Sequence, residues 1–200
     1  MTRPGYTHLV LLVDRSGSMK PIAEDMTGGI AQMLADQAAA PGAATVSLYQ
    51  FDDRFERVSG PDPAGDVPAY TLRPRGTTAL LDAFGRSITE TVELVEALVE
   101  DHRPEKVIFA VVTDGAENAS REWTRAAVMQ AVAERQAAGW EFAFLSADLA
   151  AVGEARDLGI GARSSATFGR TRAGTRGAFA GLSRSIARSR AGAPLDLDEN

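Results

Sequence analysis

The sequence predicts an α/β fold, a doubly wound and mostly parallel central sheet with one antiparallel edge strand and helices on both faces. Three observations carry this expectation. Short apolar runs alternate along the chain with longer segments whose apolar residues recur at helical spacing, the pattern of a parallel sheet covered on both sides. Two of these runs end abruptly at polar residues: Leu9-Val10-Leu11-Leu12-Val13 in Asp14, and Val107-Ile108-Phe109-Ala110-Val111-Val112 in Thr113-Asp114-Gly115. The 200 residues suit one domain with a sizeable core, and they show no internal repeat and no linker.

The elements follow in order. A first strand covers 8–13. A helix over 22–39 carries Ile22, Met26, Ile30, Met33 and Leu34 near helical spacing, and Pro41-Gly42 stops it. A second strand covers 45–51, where Val46, Leu48 and Gln50 alternate with Ser47, Tyr49 and Phe51. Asp52-Asp53 signals a turn, and 55–58 returns as the antiparallel edge strand. The stretch 59–74 holds four of the nine prolines and reads as a loop. The next helix, 80–98, places Leu81, Phe84, Ile88, Val92 and Val95 on one stripe. The strand 106–113 follows. A helical stretch starts at Ser120 or Arg121, carries Val128, Val132 and Ala133, and ends at Gly139. A strand over 141–146, a short helix over 150–157, a weak strand near 166–168 and a last helix over 175–188 complete the pattern. The expected organisation is one domain over 1–191 and a mobile acidic tail over 192–200.

In an open α/β sheet, ligands bind beyond the carboxyl ends of the strands, at the point where strand order reverses. The chemistry-bearing residues fall there. The first strand runs into Asp14-Arg15-Ser16-Gly17-Ser18, and the strand 106–113 ends in Thr113-Asp114-Gly115. Between them lies Arg75-Gly76-Thr77-Thr78-Ala79-Leu80. Two carboxylates and several hydroxyls on loops after strands make an oxygen-only site, suited to a hard divalent cation.

This D-x-S-x-S, G-x-T and T-D-G set resembles the von Willebrand factor A family, in particular its small stand-alone bacterial members, and the likeness runs over roughly 7–190. The resemblance implies a Rossmann-like fold and a metal-ion-dependent adhesion site held by Asp14, Ser16, Ser18, Thr78 and Asp114. Thr77 rivals Thr78 within G-T-T; the family pattern puts the ligand directly before Ala79-Leu80 and so favours Thr78. It further implies Mg2+ as the ion, with Mn2+ and Ca2+ as alternatives, and a protein partner whose Asp or Glu carboxylate completes the coordination. AAA+ ATPases, kinases and stress or phage-conflict systems are the settings it suggests.

The physics fits a binding role. Magnesium takes six oxygens at about 2.1 Å and keeps waters readily. Hydroxyl ligands are neutral, so only two formal negative charges face the ion, which stays electrophilic toward a further anion. Each residue alone has a structural explanation. Asp14, Ser16, Ser18 and Thr78 could each cap a helix, and Asp114-Gly115 could be a plain turn. Their joint occurrence at one sheet edge favours the metal site.

Composition narrows the function further. The formal charge of −6 argues against general nucleic-acid binding. The absence of cysteine removes disulfides and thiolate metal sites. No run approaches the ~18 apolar residues of a membrane span, and the short polar N-terminus has no signal-peptide core. The expectation is a soluble cytoplasmic protein and not an enzyme, with the oligomeric state open. The alternatives are a magnesium-dependent phosphotransfer or hydrolase domain and a structural subunit with a vestigial site. Against the first, no second aspartate follows Asp14 at two residues, no G-x-x-x-x-G-K-[ST] loop is present, and neither His8 nor His102 lies in a triad arrangement.

Weaker candidates remain. Asp52 and Asp53 read as a turn or as rim contacts of the metal. Glu117-Asn118 reads as a solvated loop or as part of the binding rim. The arginines Arg163, Arg170, Arg172, Arg176, Arg184, Arg188 and Arg190 fall in a stretch without an acid, read as a solvated helix face or as a patch for an acidic partner. Asp196, Asp198 and Glu199 could reach the open metal position of a neighbouring molecule.

Overall fold

The computed structural model describes residues 2–198, and for 149–152 the backbone alone. Six strands form one sheet: β1 (Arg3–Asp14), β2 (Ala43–Phe51), β3 (Phe55–Pro63), β4 (Pro104–Thr113), β5 (Glu141–Ser146) and β6 (Ser165–Thr167). The helices are α1 (Ala23–Ala39), α2 (Leu80–Ala97), α3 (Arg125–Ala137), α4 (Leu149–Asp157) and α5 (Arg172–Arg190). The strand order is β3-β2-β1-β4-β5-β6. Every pairing is parallel except β2 with β3. The chain leaves β1 toward β2 on one side and β4 toward β5 on the other, so strand order reverses between β1 and β4.

Alternation along the strands divides the core into two layers. Leu9, Leu11 and Val13 of β1, with Ile108, Ala110 and Val112 of β4, pack under α1 and α5 through Met26, Ile30, Met33, Phe179, Leu182 and Ile186. Val10 and Leu12, with Phe109 and Val111, pack under α2 and α3 through Leu80, Phe84, Ile88, Val128 and Val132. The approach of α1 to α5 depends on Gly29, because a Cβ there would sit 2.4 Å from the Phe179 ring. Gly85 plays the same part in α2 beneath Trp123, at 2.0 Å.

Four expectations need correction. β1 begins at Arg3, five residues early, because Arg3 pairs with Pro104 across a register shift. β3 continues through the expected loop to Pro63, where Thr45 pairs with Pro63; an edge strand tolerates proline on its unpaired side. α3 starts only at Arg125, since 117–124 is occupied in holding α2, as described below. Nor is the tail free. Leu195, Asp196 and Leu197 are buried, Leu197 N donates to Arg163 O at 2.7 Å, and Asp196 is fixed by Arg163 at 3.2 Å and by the Ser185 hydroxyl. Apolar side chains at alternate positions anchor it over α5. Asp196 is therefore not available to a neighbouring metal site; Glu199 and Asn200 lie outside the described residues.

Candidate metal centre

The five candidate ligands come from three loops at the carboxyl edge of β1 and β4. Backbone hydrogen bonds stitch these loops together: Gly17 N to Gly76 O at 3.1 Å, Arg75 N to Arg15 O at 2.8 Å, and Asn118 N to Thr78 O at 3.0 Å. The site is therefore preorganised by main chain as well as by side chains.

Asp14 is the last residue of β1 and is fully buried. Its Oδ1 accepts from Ser16 N at 2.6 Å, and its Oδ2 accepts from the Thr113 hydroxyl at 2.6 Å. Burial pushes its carboxyl up to about 6; the bonds from Thr113 and Ser16 pull it down, and the charge of Asp114 adds to the rise. Ser16 Oγ lies 2.9 Å from Ser18 Oγ, and Ser18 Oγ donates to Asp114 Oδ1 at 2.6 Å. Thr78 is 3 % exposed and Thr77 is exposed, so of the G-T-T pair Thr78 is the one buried among the other candidate ligands. Gly115 closes the group: a Cβ there would lie 3.8 Å from Ser18 Oγ and 4.0 Å from Thr78 Oγ1.

The residues present fit a divalent cation. Oxygens arranged octahedrally at about 2.1 Å stand about 3 Å from one another, and the serine pair is at 2.9 Å. The buried Asp114 Oδ2 has no hydrogen-bond partner among the described residues, as a lone pair reserved for an ion would have. Among the described residues no three His, Cys, Asp or Glu side chains cluster to hold a metal. The candidate donors are instead two carboxylates and three hydroxyls, which select a hard ion.

The supporting residues were only partly visible in sequence. Glu117 is half-buried and Asn118 is exposed, yet both hold neighbouring backbone through hydrogen bonds. Glu117 accepts from Leu81 N at 2.8 Å and from Ala119 N, Ser120 N and the Ser120 hydroxyl, so it caps α2 from outside that helix. Asp82 returns the arrangement by accepting from Arg121, Glu122 and Trp123 N. Asn118 Oδ1 accepts from Thr78 N at 3.0 Å and so fixes that ligand's backbone. Asp52 is not a rim contact. It is buried between Arg15 (3.0 Å) and Arg75 (2.6 Å), both of which also meet Glu56. The Arg15 contacts are ionic rather than aligned hydrogen bonds. Asp53 is exposed beside Gly76, at one wall of a polar groove of about 620 Å³ that Arg54, Thr77, Asn118 and Arg121 also line.

Two residues of the site escaped sequence analysis. Thr113 stood inside T-D-G but was not separated from Asp114. Arg170 donates to Asp114 O at 2.5 Å from a turn 56 residues away, a distance across which no local pattern operates.

No protein-family profile and no curated protein sequence matches this chain. Solved structures do. Proximal thread matrix protein 1 from the mussel byssus, described with a zinc-occupied MIDAS (metal-ion-dependent adhesion site) motif, superposes with a TM-score of 0.65 at 14% identity, over 92% of this chain and 46% of that one. A von Willebrand factor type A protein from Catenulispora acidiphila gives 0.59 at 16% identity, over 93% and 43%. The vWF domain of the type V pili tip protein Mfa5 from Porphyromonas gingivalis gives 0.60 at 12% identity, over 94% and 97%. The chain thus spans less than half of the first two proteins and nearly all of the third. At such identities the likeness carries the architecture and not the ligand set, and on that architecture this chain is a von Willebrand factor A fold protein.

Proposed function

We propose that the chain is a metal-dependent protein-binding module, in which a divalent cation held by Asp14, Ser16, Ser18, Thr78 and Asp114 is completed by an Asp or Glu carboxylate of a partner protein. The observation that supports this most directly is the convergence of Asp14, Ser16, Ser18 and Asp114 at hydrogen-bond distance, with Asp114 Oδ2 buried and accepting no hydrogen bond among the described residues. The neighbour with zinc at its MIDAS motif is consistent with it. Mg2+ is the expected ion, with Mn2+ and Ca2+ as the alternatives.

Bound there, the cation supplies an electrophilic position to an anionic oxygen. The chain's residues do the rest. Thr113 and Ser16 N orient Asp14, Asn118 sets the backbone of Thr78, and Glu117 holds α2 so that Thr78 stays at its start. Exposed Ser18 and the polar groove beyond Thr77 face the side from which a partner arrives. The module is read as non-enzymatic, and a bacterial cytoplasmic adaptor linked to an AAA+ ATPase, stress or phage-conflict system belongs to the same proposal. No helix among the described residues is long and apolar enough to cross a membrane.

The test is a calorimetric titration of Mn2+ into metal-stripped protein, beside Asp14→Ala. The expected result is saturable one-site binding that the variant loses while its circular dichroism spectrum is kept. Equal or absent binding in both would overturn the proposal. Magnesium-dependent hydrolysis of an aryl phosphate, lost in the same variant, would favour the enzymatic alternative.

A further inference from the structure

One cationic side chain reaches the metal centre from outside its three loops. Arg170 lies in the turn between β6 and α5, donates Nη2 to Asp114 O at 2.5 Å, and stands 3.5 Å from Asp114 Oδ2. That oxygen accepts no hydrogen bond among the described residues, while Oδ1 is taken by Ser18. The turn is firmly built. Thr171 N donates to Gly169 O at 2.7 Å, the Thr171 side chain caps α5 through Gly174 N, and a Cβ on Gly174 would stand 2.3 Å from Gly169 O. Arg170 is thus held at the mouth of the site, with its side chain 44% exposed. The guanidiniums of Arg15 and Arg75, also near these loops, are already neutralised by Asp52 and Glu56. Among the described residues Arg170 meets one acid, Asp114, which is itself a candidate metal ligand.

We propose that Arg170 is a built-in counter-charge of the metal centre, which weakens cation binding and leaves the loaded site with a net positive charge for an anionic partner group to neutralise. This rests on the metal-binding function proposed above. Two ionised carboxylates and Arg170 sum to one negative charge; a divalent ion turns that into one positive charge. A site built from the two carboxylates alone would instead be neutral when loaded. Arg170 therefore trades affinity for the ion against attraction for the carboxylate that follows it, and the partner oxygen meets a guanidinium beside the metal. Charge-assisted contacts of this kind are stronger than neutral ones.

The experiment is a set of Mn2+ titrations by calorimetry at pH 7.5 and low salt into metal-stripped wild type, Arg170→Gln, Arg170→Lys and Arg172→Gln. Arg170→Gln should bind Mn2+ about tenfold more tightly than wild type, from the loss of a like charge within a few ångströms of the ion. Arg170→Lys should stay within about threefold of wild type, because it keeps the charge. Arg172→Gln should change little, because its charge is 79% exposed and faces Asp25 at 3.8 Å. The sign is diagnostic, since a purely structural Arg170 would weaken metal binding when replaced. Unchanged or weaker binding by Arg170→Gln, or an equal gain in Arg172→Gln, overturns the inference while the metal site stands. Binding by Arg170→Gln alone supports it. Absence of binding in all four chains removes the metal site and the inference together.

Discussion

The Thr113 hydroxyl donates to Asp14 Oδ2 at 2.6 Å, so the last residue of β4 holds the last residue of β1. This bond crosses the point where strand order reverses and fixes one carboxylate of the site. It does so at full burial, where desolvation works against the ionised form. The metal-free site is therefore under electrostatic tension, and a divalent ion would relieve it.

That tension gives a pH dependence. The Asp14 carboxyl, ordinarily at 3.8, is pushed up to about 6 by burial. A raised pKa stabilises the fold below the ordinary value, and the contribution is lost as pH rises through about 6. For the metal-free protein the difference is on the order of 3 kcal/mol between pH 4 and pH 7.5. Asp14→Asn should therefore be more stable than metal-free wild type at pH 7.5, with the gap closing toward pH 4. Urea denaturation of both proteins across that range checks this. Apparent Mn2+ affinity of wild type should fall below pH 6, because the ion needs the ionised carboxylate. A gap that does not vary with pH would mean that Asp14 is hydrated.

The threonine pair offers a sharper test of the ligand set. Thr78 is buried beside Gly115 with its backbone pinned by Asn118, and Thr77 faces the groove. Thr78→Ala should reduce Mn2+ affinity by at least about tenfold, the loss of one first-coordination oxygen. Thr77→Ala should leave it within about twofold, as expected for an exposed side chain outside the site. Calorimetric titration of the two variants decides it, and the reverse order would reassign the second loop.

The strand-end motifs were legible because their chemistry is local. Asp14, Ser16 and Ser18 follow an apolar run directly, and the run fixes which sheet edge they occupy. Helices α1 and α2 were legible for the same reason, through apolar spacing. What pairs across long separations was not. Glu117 and Asp82 cap each other's segments over some forty residues, and this shortens the expected α3. Arg170 meets Asp114 by tertiary placement alone. The tail was misjudged on its acids, although Leu195 and Leu197 flank Asp196 with an apolar alternation that burial exploits.

The tail makes the third prediction. Leu195 and Leu197 are buried in the same layer as Leu182 and Ile186 of α5. Leu195→Ala and Leu197→Ala should each destabilise the protein by roughly 2–4 kcal/mol, the usual cost of truncating a core leucine. Deleting 194–200 should cost more than either. Thermal unfolding monitored by circular dichroism measures this. A truncated chain as stable as wild type would mean that the tail only rests on the surface.

Asp52 provides the last. It is buried and holds Arg15 at 3.0 Å and Arg75 at 2.6 Å, while accepting from Arg54 N at 2.7 Å. Burial alone would raise its carboxyl, but the Arg75 hydrogen bond, the Arg54 N–H and the two guanidinium charges outweigh it and hold the group below the ordinary 3.8. A lowered pKa stabilises the fold above the ordinary value, and that stability is lost only as pH falls through the folded one, below the range in which Asp14 acts. Asp52→Asn keeps the shape but removes the charge, leaving buried Arg15, among the described residues, with the half-exposed Glu56 as its ion-pair partner. Breaking one side of a buried pair costs about 3–5 kcal/mol. Glu56→Gln, with its side chain 42% exposed, should cost no more than about 1 kcal/mol. The larger loss should reach the metal site as well, because Asp52 O accepts from Ala79 N at 2.9 Å and Arg15 O accepts from Arg75 N at 2.8 Å. Loosening these bonds frees the first and second ligand loops from each other, so Asp52→Asn should weaken Mn2+ binding although it touches no ligand. Urea denaturation and Mn2+ titration of the two variants measure both effects; equal costs for Asp52→Asn and Glu56→Gln would show that the four-charge cluster is a surface feature and that the loops are held by main chain alone.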